Sequence, residues 1–242
     1  MFNISNSGGQ VCRLVFLGTI AVALLAGCGG SSSSEVAVGD DGLEGVRRRG
    51  CVPEPVSTSG YSLVLKSCDV VTGTKTYYDR TECVRDNATG LIWQGQTPED
   101  TGLRATNQWR YNFDSTTELQ KYHPAIGRTN PPTQAEIDDI SNAIGFKNAI
   151  NATKLCGSSK WRIPTKDELL TLIDLSRSPT IDEAWFPNLA RYRSYWSSTA
   201  YTGPVPEYSY TAWGVDLRTG KAFPDYRGSY KITYQLNVRL VQ

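Results

Sequence analysis

The one histidine of the chain, His123 in the segment KYHPA, is the only side chain whose ordinary pKa suits it to acid–base work near neutrality. A nucleophilic hydrolase would need that base within reach of an activated serine or cysteine. No serine here sits in an elbow motif, and KYHPA lies in a polar stretch, so His123 is expected at the surface. Paired carboxylates are the other route to acid–base chemistry. Asp138–Asp139 and Asp182–Glu183 are sequence neighbours, and neighbours on a helix point in different directions. Such pairs are expected to be solvated rather than to flank a scissile bond. The chain is therefore read as non-enzymatic, with no cofactor.

The six cysteines carry more information. Arg13 precedes an uncharged run, Leu14–Ala26, shorter than the ~20 residues of a membrane-spanning helix and matching the apolar core of a secretory signal. The run closes in LLAGC. Small residues Ala26 and Gly27 before Cys28 match the bacterial lipobox, so residues 1–28 are read as a lipoprotein signal with Cys28 acylated as the mature N-terminus. Cys28 is then an anchor to membrane lipid, and several acyl chains at about 0.8 kcal/mol per buried CH₂ would hold it firmly. Gly29, rather than an aspartate, follows it, which favours the outer membrane of a bacterial cell envelope. Cys12 leaves with the signal. Cys51, Cys68, Cys83 and Cys156 then face an oxidising compartment, and their even number implies two disulfides, with three pairings open. Spacings of 17, 15 and 73 residues contain no CxxC pattern, which argues against zinc. No metal site is expected.

Charge removes another class of partner. Loss of the signal takes away Arg13 and no acidic residue, leaving 24 basic against 24 acidic side chains. A protein that held nucleic acid electrostatically would be strongly basic, so nucleic acid is not expected. Recognition chemistry gathers elsewhere. Residues 192–234 hold 11 of the 25 aromatic residues, mostly tyrosines interleaved with Ser, Gly, Asp and Arg. Tyr201, Tyr208, Tyr210, Tyr226 and Tyr230, with Glu207, Asp225 and Arg227, fall in loop-like stretches. Tyrosine supplies stiff contact area with a hydroxyl at its tip, so these eight residues are the candidate ligand-binding set. Trp196 and Trp213 are assigned to the strand core.

The elements that must position these residues follow from periodicity. Residues 29–60 are rich in Gly, Ser and charge and read as a flexible tether. Residues 61–81 form a β extension: YSLVLKSCDVV alternates as a strand, TGTK turns, and TYYDR returns. CVR, a turn over Asp86–Gly90, and Leu91–Trp93 make a tight hairpin. Residues 95–133 are polar with four prolines and read as an insertion or long loop. Thr133 to Leu155 offers one or two helices with Ile137, Ile140 and Ile144 on one face and a break at Gly145. In KWRIPTKDELL, Thr165 and Glu168 form a capping box. Pro164 keeps the preceding residues extended. Leu169, Leu172 and Ile173 give the following helix one apolar stripe, to about Ser176. SYWSSTAY, YTAWGVDL, GKAFPDY and YQLNVRLVQ read as strands and loops.

The ordered series DNATGLIWQ, a helix ending in a cysteine, KWRIPTKDELLTLID, IDEAWFPN, YWSST, AWGVDLRTG and terminal VRLV resembles the Lcl C-terminal domain family over residues 82–242. The resemblance implies an α+β, C-type-lectin-like domain, with two helices on small antiparallel sheets and paired chain ends. It implies structural roles for Trp93, Trp161, Arg162, Pro164, Thr165, Glu168, Trp196 and Trp213, with Trp161 a core wedge and Arg162 a buried or half-buried partner of a carboxylate or carbonyls. It also implies recognition of sulfated glycans at surfaces; the same tyrosine-rich face could instead dock an envelope protein. The calcium-dependent sugar sites of such folds use Glu-Pro-Asn-type segments absent here, where WSST stands instead. Many relatives carry a cysteine at the position of Leu240. With Cys83–Arg85 expected beside the terminal strand Asn237–Val241, the resemblance implies Cys83–Cys156 and leaves Cys51–Cys68. Two readings stay open: a ligand-binding or adhesive lipoprotein, and a structural component of an envelope assembly.

Overall fold

Asp86 shapes the first hairpin of the domain. Its carboxylate accepts bonds from the Ala88 N–H at 2.9 Å and the Thr89 hydroxyl at 2.7 Å, and the Gly90 N–H donates to its carbonyl. Gly90 adopts φ +76°, a conformation costly for any residue with a Cβ. The turn joins β4 (Cys83–Asp86) to β5 (Ile92–Gln94), which pair antiparallel in the register Val84 to Trp93. These features belong to a computed structural model that describes residues 51, 57–98, 102–116, 121–123, 128–190, 194–203, 211–226 and 235–242. The signal, Cys28 and most of the tether lie outside the described residues.

The segment 61–71 is not one strand. It divides at Val64, which is buried, into β1 (Tyr61–Leu63) and β2 (Leu65–Cys68). β1 joins β4 in a sheet of order β1-β4-β5, whereas β2 pairs with β3 (Lys75–Tyr77) in a separate ribbon. Residues 95–133 are not a free insertion either. Gln96, Ala105, Thr106, Arg110, Asn112 and Phe113 are buried, and β6 (Lys121–His123) pairs with β7 (Arg128–Asn130). The polarity that looked like solvent exposure is spent internally. The Asn142 side chain accepts from the Phe113 N–H at 2.7 Å and donates to the Phe113 and Ile137 carbonyls, and the Asn112 amide donates to the Ser197 carbonyl.

Three α-helices are present among the described residues: α1 (Gln134–Asp138), α2 (Ala143–Thr153) and α3 (Lys166–Leu170). The break between α1 and α2 falls at Asp139, whose extended backbone ends the first helix, and not at Gly145. Gly145 lies inside α2 for a different reason. A Cβ there would stand 2.1 Å from the Asp139 carbonyl oxygen, so only glycine lets the two helices approach. Ile140 is 53 % exposed and leaves the expected stripe.

The capping box of α3 is present: the Thr165 hydroxyl accepts from the Glu168 N–H, and Glu168 Oε2 accepts from the Thr165 N–H at 2.8 Å. The helix stops at Leu170 rather than near Ser176. The Thr171 hydroxyl bonds back to the Glu168 carbonyl, and the Leu172 and Ile173 N–H groups reach only three residues back. The chain tightens into a turn, and Leu169 and Leu172 are still buried.

β8 (Ser194–Ala200), β9 (Thr211–Asp216) and β10 (Lys221–Tyr226) form an antiparallel sheet of order β10-β9-β8. Residues 235–242 knit the molecule together. Gln94 N–H donates to the Leu240 carbonyl at 2.9 Å, and Ile92 and Gln242 exchange bonds. Arg162 and Val241 exchange bonds of 2.9 Å on the other side, and Trp196 N–H reaches Asn237. The terminal segment therefore lies beside Ile92–Gln94. It does not lie beside Cys83–Arg85, because β5 fills that edge of β4.

Consecutive residues send side chains to opposite faces, as strands must. Cys83, Trp196 and Leu240 join Phe146, Ile150 and Trp161 in one core cluster. Val84, Tyr195 and Val241 join Trp93, Leu169 and Phe186 in the other. Fully burying one such apolar side chain is worth about 1.5–3 kcal/mol, so the two clusters supply the domain's driving force. Disulfides join Cys83 to Cys156 and Cys51 to Cys68, with Cα separations of 6.6 and 6.1 Å. These are the pairs the resemblance implies, although the strand argument that accompanied them required a different neighbour.

Candidate ligand-binding surface

Strand direction decides which of the tyrosine-rich segments meet. Ala200 of β8 pairs with Ala212 of β9, and Thr211 of β9 pairs with Tyr226 of β10. The end of β8, the start of β9 and the end of β10 are therefore at one end of the sheet. Tyr201 follows β8 there, and Asp225 and Tyr226 occupy the last positions of β10. Glu207, Tyr208, Tyr210, Arg227 and Tyr230 lie outside the described residues, as do the side chains of Asp225 and Tyr226.

Trp213 is half-buried at this end rather than part of the core: it alternates onto the same face as Val215 but stands two residues nearer the end of the sheet. The Tyr201 ring meets it edge-on, with centroids 5.2 Å apart and planes at 72°. Lys166 Nζ stands 5.0 Å from the Trp213 centroid, within range of a cation–π contact. α3 brings Lys166 there: the Lys166 N–H donates to the Thr199 hydroxyl at 3.0 Å, and the Ser198 N–H donates to the Pro164 carbonyl at 2.7 Å. A half-buried indole and a tyrosine on one rim can stack on a flat ring, beside an ammonium group that also pairs with the Asp167 carboxylate at 3.4 Å.

The WRIP residues stand behind this surface. Trp161 is buried and its indole N–H donates to the Leu155 carbonyl at 3.0 Å. Arg162 is exposed, not buried, and forms a two-armed bond to Glu168 at 2.7 and 2.5 Å. The reason is direction: Trp161 takes the inward face, so its neighbour must point out. The Arg162 guanidinium holds the Glu168 carboxyl below the ordinary carboxylate range.

A second recess, of about 410 Å³, is lined by Leu63, Tyr77, Tyr78, Asp79, Arg80 and Trp185. Asp79 accepts from the Thr81 N–H at 2.8 Å, which keeps its carboxyl below the usual range. Arg80 donates to the Ala184 carbonyl. The sequence reading missed this recess. Its one signal was the aromatic pair in TYYDR, whose partner Trp185 is more than a hundred residues away.

Behind the recess, Tyr61 packs edge-on to Phe186 with centroids 5.0 Å apart, and burial, with Asp86 and Asp182 nearby, pushes its hydroxyl up to about 12. Arg239 is buried against Phe186 and Tyr195 and donates to the Gln94 carbonyl and to Gln96 Oε1, each at 2.7 Å. Tyr195 donates to the same Gln96 oxygen. Arg110 lies 3.9 Å over the Phe146 ring, and burial lowers its pKa to about 10, so it still carries its charge at neutrality. These are framework groups, each closed in by carbonyls and rings.

Among the described residues no group of three or more His, Cys, Asp or Glu side chains could hold a metal. The two carboxylate pairs have local partners. Asp138 accepts from Gln134, Asp139 from the Ser141 N–H, and Asp182 pairs with Arg177 at 3.1 Å while capping Ala184. His123 lies in β6, and its side chain is outside the described set.

The sequence model of the Lcl C-terminal domain matches residues 82–242. The chain belongs to the Lcl C-terminal domain family. No curated protein and no solved structure matches it. The Lcl C-terminal domain thus begins with the hairpin β4–β5, and β1 adds an edge strand to it from outside the matched region. The aromatic rim lies wholly within the domain, whereas the recess draws five of its six lining residues from the preceding extension.

Proposed function

We propose that this chain is an acylated lipoprotein of the bacterial envelope whose Lcl C-terminal domain binds an external ligand without chemical turnover. One observation carries the reading. The strand register gathers the ends of three strands at one rim, where Tyr201 and Lys166 flank the half-exposed Trp213. Aromatic faces with a nearby ammonium group suit a sugar ring bearing an anionic substituent. Cys28 supplies the membrane attachment, and the outer membrane is the favoured site. The second reading, a component of an envelope assembly, draws on the recess beside Trp185, whose rings could equally receive a protein segment.

The test is a glycan array probed with the mature chain, residues 29–242, alongside Trp213→Ala. Binding of anionic glycans that falls at least about tenfold in the variant, the scale of an aromatic hot spot, with the melting temperature nearly kept, supports ligand recognition at the rim. A wild-type protein that shows no glycan preference overturns it in favour of assembly.

A further inference from the structure

The tip of the β2–β3 hairpin carries Val70 and Val71, which are 62 % and 73 % exposed. Tight turns ordinarily use Gly, Pro, Asn, Asp or Ser, which bend easily and bond to water. Two β-branched apolar residues at this position gain nothing from the core, and Leu65 on the same ribbon is 49 % exposed.

The turn is nevertheless firmly built. Asp69 N–H donates to the Thr74 carbonyl at 2.9 Å, and Gly73 N–H donates to the Asp69 carbonyl at 2.8 Å. Asp69 Oδ1 accepts from the Val71 and Thr72 N–H groups at 2.8 and 3.0 Å, and the Thr72 hydroxyl accepts from the Thr74 N–H. The N–H groups of Asp69, Val71, Thr72, Gly73 and Thr74 are thus satisfied within the turn. Each backbone group bonded internally lowers the cost of approaching a region where water is scarce.

The Cys51–Cys68 disulfide adds the second observation. Cys68 stands two residues before Val70, and Cys51 ends the segment that follows the acylation site. That segment, residues 29–50, spans at most about 75 Å when extended. The crosslink therefore makes the anchored chain enter the fold at the base of the apolar tip. Lys66 and Lys75 lie on the two strands of the same ribbon, where cations are drawn to anionic headgroups.

We propose that the Val70–Val71 tip seats in the headgroup–acyl boundary of the membrane that holds the anchor, so that the domain is attached at two points and keeps one orientation. This rests on the acylation of Cys28. A single contact of this size binds weakly, but the tether keeps the tip at a high effective concentration near the bilayer. The domain then faces away from the membrane with whatever surface is opposite the hairpin.

Val71→Trp in the acylated chain, reconstituted in phosphatidylethanolamine–phosphatidylglycerol vesicles with brominated acyl chains, tests this. Leu175→Trp, at a position 78 % exposed outside the hairpin, is the control. The Val71→Trp protein should lose about twofold more emission than the control, as a shallowly buried interfacial residue does. Equal quenching overturns the proposal. A second arm replaces the acyl anchor with an N-terminal hexahistidine on nickel-chelating lipid, so the hairpin is judged even if detergent partitioning shows that Cys28 is not acylated. Sedimentation of the soluble chain completes the set. A dimer dispersed by Val70→Asp with Val71→Asp would assign the tip to a second copy and also overturn the proposal.

Discussion

The two disulfides are of one chemical kind and sit in opposite surroundings. Cys83–Cys156 is part of a core cluster with Phe146, Ile150 and Trp161, and Cys83 has no exposed surface. Cys51–Cys68 joins a segment end to a ribbon whose strand residues are largely exposed. On the chain-entropy model, loops of 73 and 17 residues differ little, at about 4 and about 3 kcal/mol. Loop length alone would make the two nearly equivalent. The difference lies in what the native state regains when each is cut. Strand β4 and the end of α2 stay fixed by their own bonds without the inner crosslink, so all of the released freedom goes to the unfolded chain. Cys51, held to the ribbon by this bond, would regain freedom in the folded protein too, which offsets the gain of the unfolded chain.

The largest effect should come from Cys83→Ala with Cys156→Ala. A loss of about 3–5 kcal/mol in global stability is expected by urea unfolding. A loss below about 1 kcal/mol would erase the contrast between the two crosslinks.

Glu168→Gln sharpens the contrast from within the inner region, since Glu168 both caps α3 and holds Arg162, whose backbone is bonded to Val241. The expected loss is about 1 kcal/mol at neutral pH, because the pair is largely solvated and screened. The folded-state pKa of Glu168 is depressed. Its contribution is therefore complete above the ordinary glutamate value of about 4.3 and is lost as pH falls through the lower folded value. Wild type and variant should converge in acid; a constant gap across the titration would show that charge is not involved.

The smallest global effect belongs to Cys51→Ala with Cys68→Ala. Its melting temperature should shift by less than about 2 °C, while amide exchange quickens only in β2 and β3. A global loss comparable to that of the inner pair would mean that the ribbon belongs to the main cooperative unit.

What was legible in the sequence was local. The β4–β5 hairpin follows from alternation around a turn with Asp and Gly, and the Thr165–Glu168 cap follows from two residues three apart. Errors arose where distant partners decide. α3 was read six residues too long because Leu172 and Ile173 keep helical spacing in a tightened turn. Residues 95–133 were read as an insertion or long loop because Asn112 and Arg110 look polar until Ser197 and the Phe146 ring are placed against them. Trp213 was assigned to the core because strand alternation tells which residues share a face but not how far a strand end projects. For the candidate site, the tyrosine-rich segments were visible in composition. That the described strand ends beside them share one rim needed the register, and the recess needed Trp185 beside Tyr77.

The seam formed by residues 235–242 has a consequence for the order of events. A chain delivered N-terminus first, from a ribosome or through a pore, releases Trp93, Arg110, Arg162 and Trp196 well before the residues that bridge them. Until Leu236–Val241 emerges, β5 presents an open edge and both core clusters lack an inner wall. Locally capped helices and the first hairpin can form and dissolve meanwhile, but nothing locks them. The two clusters therefore close only when residues 235–242 are in place, whatever has formed before them.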